Sequence, residues 1–179
     1  MSMNSIMSNL QIHGVNTDGL KDIIETDAWV AAAASAVGGL IPVLSVPAMI
    51  VSSVGAIWHM YIKLAQRLDV TWSNGLLRTL ASAAVTNMTT NLAGLLVGEL
   101  MAAFVPGASV LVCAGISYYI IYAAGMMFLT MLAKLLNKYG SVKAVPDVVS
   151  TDEIKCDKSY FKDAMKDAKD SFKAQKAEH

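Results

Sequence analysis

The chain has 179 residues, of which 55% are hydrophobic and 16% charged, with a mean hydropathy of +0.48. Soluble domains carry about 25% charged residues, so charge is depleted here. The 14 acidic and 14 basic residues balance to a net charge of zero, which removes bulk electrostatic attraction to nucleic acid.

Residues 1–27 read as a polar N-terminal tail rich in Ser and Asn, where Gly14 and Gly19 interrupt any long helix. Leu20, Ile23 and Ile24 suggest a short amphipathic turn, with Thr26 or Asp27 as an N-cap for the first apolar helix.

Residues 28–139 read as a membrane domain of two helical hairpins, four apolar helices in all. Between Ala28 and Ala133 the formal charges are Lys63, Arg67, Asp69, Arg78 and Glu99. The first helix ends near Ile41-Pro42. Pro47 suits the first turn of the second helix, which runs to about Leu68. The piece from Ala28 to Ile41 rises only about 21 Å as a helix, short of the ~30 Å hydrocarbon core. A polar link from Asp69 to Gly75 leads to a third helix, capped near Ser73 or Asn74 and ending at Phe104. Val105-Pro106-Gly107 then turns the chain into a fourth helix that stops at Gly140. The two hairpins share an apolar-Pro turn, a small-residue stretch and following aromatics, a weak sign of an internal repeat.

Residues 140–179 read as a charged tail. Phe161, Met165, Ala168 and Phe172 recur at helical spacing and form a narrow apolar stripe for docking a partner, on a helix that Thr151 caps. The surrounding Lys and Asp residues balance, so anionic lipid has no basic excess to attract. Lys63, Arg67, Arg78, Lys134, Lys138 and Lys143 all fall at one end of the hairpins. By the positive-inside rule that end and both tails face the cytoplasm.

The third helix carries the unusual polar content. Asn87, Asn91, Gly94 and Gly98 fall on one face, with Thr90 beside them. Amides and small residues bring helices together in lipid, and the same face is suited to line a pore in an oligomer. Helix packing is the blander and preferred reading. Glu99 has two readings: an intramembrane functional carboxylate, or a side chain that reaches the headgroups beside the turn. His59, near Trp58 and Tyr61, reads as an interfacial side chain rather than a ligand. Cys113 and Cys156 lie far apart with no zinc spacing. Phosphate-loop, metalloprotease and nucleophile-elbow patterns are missing, so neither an enzyme nor a cofactor is expected.

Gly39-Leu40-Ile41-Pro42 with Pro47, Leu64 to Val70, Phe104-Val105-Pro106-Gly107 and Tyr122-Ala123-Ala124-Gly125 together resemble a bacterial family called domain of unknown function 697. Ser109 stands where that family usually has a second glycine. The resemblance implies a bacterial membrane module that serves an Era-like GTPase or a stress system, with no catalytic residues to carry over. The reading is therefore an all-α integral membrane protein with two helical hairpins and a C-terminal amphipathic helix. Its expected role is a non-enzymatic, self-assembling scaffold or anchor in the inner membrane, and the alternative is an oligomeric pore or channel lined by the third helix. Lipid, further copies of the chain and a cytosolic GTPase or other protein are its expected partners.

Overall fold

The structure is a computed structural model that describes residues 2–38, 45–68, 77–78, 80–84, 109–146, 149–150, 153 and 158–178. Among these the fold is all-α, with no strand. The helices are α1 (Met3–Ile12), α2 (Leu20–Gly38), α3 (Ser45–Arg67), α4 (Ser109–Tyr139) and α5 (Lys158–Glu178). A 3-10 turn covers Val142–Ala144.

Helix α4 is the axis, touched by α1, α2, α3 and α5. It is apolar all round, and such a helix is stable only in a protein core or in lipid. Here its neighbours supply the core. Tyr118, Tyr122, Phe128, Leu132 and Leu136 are all buried. Among the described residues, α4 is the one helix long and apolar enough to cross a membrane, over Ala114–Tyr139, and 89% of its most apolar window is buried inside the chain. Four membrane-length apolar helices are therefore not supported, although the third expected helix falls mostly outside the described residues.

The N-terminal segment is more ordered than its composition suggests. Met3, Ile6 and Leu10 recur at helical spacing and are buried, so α1 docks on α4. The Ser2 hydroxyl caps the helix by accepting from the Ser5 N–H at 3.4 Å. At the other end of α1, His13 Nε2 lies 2.7 Å from Asn137 Oδ1 near the end of α4. Gly14 and Gly19, with φ of +73° and +74°, turn the chain into α2.

Helix α2 begins at Leu20, so Thr26 and Asp27 are interior residues rather than caps, and the expected boundary between 27 and 28 falls inside the helix. The physical reason is the unbroken stripe of Leu20, Ile24, Ala28 and Ala32, all buried against the core. Helix α3 matches the sequence reading closely, with Pro47 in its first turn. Arg67 Nε donates to the Asp18 carbonyl at 3.0 Å and Asp27 pairs with Lys63, so α2 and α3 run antiparallel.

Helix α4 ends where expected, at Gly140, whose φ of +79° suits glycine. The connection beyond is held by Glu153, which accepts from Lys138 Nζ at 2.8 Å and from the Tyr139 hydroxyl at 2.9 Å. The Lys138 contact first, then Tyr139, holds the Glu153 carboxyl below its ordinary range. A lowered folded value means that the contact stabilises above the unfolded value and is lost as pH falls through the folded one. The Tyr139 ring signals in an NMR titration are therefore expected to move with an acid midpoint below that of an ordinary glutamate, and Glu153→Gln should abolish the transition. An ordinary midpoint would mean that the clamp is open in solution.

Candidate functional site

Charge is unevenly spread along α2, α3 and α4. Lys21, Asp22, Glu25 and Asp27 open α2, Lys63 and Arg67 close α3, and Lys134 and Lys138 close α4. These lie together because α2 runs antiparallel to α3 and α4. The stretches Ala28 to Gly38 on α2, Ser45 to Ile62 on α3 and Ser109 to Ala133 on α4 contain no Asp, Glu, Lys or Arg.

Aromatic rings mark the border. Trp29 stacks on Phe172 of α5 at 5.1 Å and meets Tyr118 edge-on at 5.2 Å. Tyr119 and Tyr118 both close on Phe172, at 5.6 Å and 5.1 Å. Trp58 belongs to the same level, because its neighbour His59 lies 4.0 Å from Asp27. Beyond this level Val30 and Val54 are 62% and 44% exposed, unusual for large apolar side chains of a helical core.

Just on the charged side of the rings lies a chain of polar contacts between α2, α4 and α5. Ser171 Oγ donates to Glu25 Oε1 at 2.8 Å and lies 3.0 Å from the Tyr118 hydroxyl. Asp167 Oδ2 accepts from the Tyr122 hydroxyl at 3.4 Å and from the Met3 N–H at 3.1 Å. These bonds satisfy hydroxyls that the core would otherwise strand, and they fix α5 in register on α4. Trp29 Nε1 donates to Gln175 Oε1, which ties the last turns of α5 to α2.

The stripe read for partner docking is occupied within the chain. Phe161, Met165 and Ala168 are buried against the chain's own core, and Phe172 joins the aromatic cluster. It faces inward because α4 offers a matching apolar surface, so the stripe is not left open for a partner. Helix α5 begins at Lys158, and Thr151 lies outside the described residues. Asn87, Thr90, Asn91, Gly94, Gly98 and Glu99 also lie outside them, as do Pro42, Pro106 and Gly107, so the polar face and both hairpin turns carry no structural account.

Three features escaped the sequence reading. Asp27, only 7% exposed at its side chain, lies 2.7 Å from Lys63. Gly125 lets α2 approach α4, since a Cβ there would stand 2.6 Å from Ile24 Cγ1. A shallow, open depression runs along α2 from Asp22 to Ala33, beside Gln175 of α5. The helical spacing of its α2 wall was the available signal. Among the described residues no group of three or more His, Cys, Asp or Glu converges as a metal would require.

These features define an all-α protein in which uncharged stretches of α2, α3 and α4 adjoin an aromatic cluster of Trp29, Tyr118, Tyr119 and Phe172, with charged α5 packed along α4. Comparison with protein-family models, with curated proteins and with solved structures gives no match to the chain.

Proposed function

We propose that the chain is a non-enzymatic, self-assembling membrane scaffold or anchor, inserting its uncharged end into a bilayer with the hairpin turns leading. Helices α1 and α5 stay in water with the basic residues, on the cytoplasmic side by the positive-inside rule. The observation that carries this reading is the lack of Asp, Glu, Lys and Arg over 28–38 of α2, 45–62 of α3 and 109–133 of α4, beside Trp29, Trp58 and Tyr119, residue types that favour the membrane–water boundary.

The depth follows from α5. Its charged helix lies along α4 from the Phe172–Tyr119 contact to Lys134, whose Nζ sits 4.7 Å above the Tyr160 ring. Lipid has no access to that part of α4. Residues 109–117 of α4 rise about 13 Å and residues 45–57 of α3 about 19 Å, against a hydrocarbon core of about 30 Å. The described helices thus suit insertion to roughly one leaflet. Of the expected partners, the GTPase rests on the family resemblance alone; co-purification from native membranes tests it.

Flotation of the full chain with liposomes tests insertion. Val30→Asp with Val54→Asp changes two exposed side chains, so the helical fold should survive, as circular dichroism will show. A buried Asp costs about 2.5–3.5 kcal/mol at the centre of a membrane helix and less near the surface. The double variant is expected to lose at least about tenfold in partitioning, the factor carried by 1.4 kcal/mol. Ile12→Asp, at a residue 79% exposed on the charged half, should float like the wild type. Equal flotation of all three proteins would sink the reading.

A further inference from the structure

We infer that two copies of the chain pair through the outward face of α5, about a two-fold axis parallel to that helix, with the lysine row of each copy against the acidic row of the other. The inference rests on the self-assembly reading above and names its interface. Lys162, Lys166, Lys169 and Lys173 recur at i, i+4, i+7 and i+11, so they form one row along α5. Asp163, Asp167 and Asp170 recur at i, i+4 and i+7 and form a second row beside it. Phe161, Ala164, Met165 and Ala168 take the buried face, while Lys162, Lys166, Lys173, Asp163 and Asp170 are exposed.

The two rows lie on opposite flanks of the helix. Lys169 Nζ sits 5.7 Å above the Tyr119 ring of α4, which puts the lysine row on that side. Asp167 accepts from the Met3 N–H of α1, and Ser171 one turn on donates to Glu25 of α2, which puts the acidic row on the other side. Asp167 is thereby engaged within the chain, and Asp163 lies near Lys162, Lys166 and the amino terminus. Lys162, Lys166, Lys173 and Asp170 make no ion pair among the described residues. Exposed Asp22, on the side of α2 that Gln175 borders, adds to the acidic flank.

Charge complementarity selects a second copy as the occupant. A long polyanion laid on the lysine row would also meet the acidic row beside it, and like charges placed together are costly. A bilayer entered by α4 would meet only one end of the lysine row, because α5 runs along α4 from Tyr160 at Lys134 to Phe172 at Tyr119. Symmetry then fixes the arrangement. With two rows side by side on one face, a two-fold axis parallel to the helices sets lysine against aspartate twice. A two-fold axis across the helices makes them antiparallel and sets like against like. The parallel axis also runs along α4, so both copies enter a bilayer from the same side.

The test is sedimentation equilibrium of the full chain in density-matched detergent. The wild type is expected to dimerise at low salt and to weaken as salt is raised to about 0.5 M, since exposed pairs are screened. Lys162→Glu with Lys166→Glu, and separately Asp163→Lys with Asp170→Lys, should each weaken the dimer at least about tenfold, because like rows then meet. Circular dichroism checks that both variants stay helical. Mixed in equal amounts, the two variants should recover the wild-type dimer as a mixed pair, identified by a fluorescent label on one of them. No recovery on mixing would overturn the interface. Either variant assembling alone like the wild type would also overturn it and leave the self-assembly reading standing. A wild type that stays monomeric at low salt would remove both. A monomeric wild type whose binding to phosphatidylglycerol vesicles falls in Lys162→Glu with Lys166→Glu would assign the lysine row to lipid instead.

Discussion

Lys63→Met is expected to lower the folding free energy by about 3 kcal/mol, near the low end for breaking a buried ion pair. The cost comes from the residue left behind. Asp27 is 7% exposed at its side chain, and its Oδ1 lies 2.7 Å from Lys63 Nζ. Its Oδ2 is buried without a hydrogen-bond partner among the described residues, so Lys63 supplies most of the compensation. His59 Nδ1, 4.0 Å from Oδ1 on a ring that is 65% exposed, is too distant and too wet to replace it. The low end applies because Lys63 is itself 38% exposed and reaches solvent. Removing the charge from Asp27 as well should repair most of the damage, so Asp27→Asn with Lys63→Met is expected to be more stable than Lys63→Met alone. Denaturant midpoints of the four proteins close the cycle. A Lys63→Met variant within about 0.5 kcal/mol of the wild type would show the carboxylate to be solvated.

The second large effect is expected at Gly125. A Cβ there would meet Ile24 Cγ1, Cδ1 and Cγ2 at 2.6, 2.8 and 2.9 Å. Two of those atoms sit directly on the branched Cβ of Ile24, whose rotamer is stiff within a helix, so the neighbour has little room to give. Gly125→Leu should therefore separate α2 from α4 and cost about 3 kcal/mol, at the upper end for overpacking. The gain in helix propensity on replacing glycine, at most about 1 kcal/mol, does not offset this. Ile24→Ala alone removes a fully buried side chain and should cost about 2–5 kcal/mol. Combined, the two changes should fall short of their sum by at least about 1 kcal/mol, because the smaller residue admits the larger. Strict additivity would mean that the helices do not cross at this point.

The elements legible in the sequence are those whose limits are set by local backbone chemistry. Pro47 and Gly140 restrict or release φ on their own account, so the start of α3 and the end of α4 were readable without any knowledge of neighbours. Asp27 shows the opposite case. A carboxylate after a polar stretch reads as a border, yet it is an interior residue because a lysine 36 positions away neutralises it. The stripe from Leu20 to Ala32 was visible in the spacing but was cut by that border, and the depression on the outer face of the same helix was lost with it. Apolar content all round α4 signals burial and cannot say whether lipid or protein does the burying. The regular stripe of α5 announced a contact, and only the fold identifies its own chain as the occupant.

The contacts that cover α4 also set an order of events during synthesis. Gln175 and Ser171 each reach back 146 positions, to Trp29 and Glu25. Their side of α4 stays open until the last helix has left the ribosome. At about 5–20 residues per second, some seconds separate the emergence of α4 from that of α5. During that interval the side of α4 that carries Tyr118 and Tyr122 is open, and docking of α5 closes it.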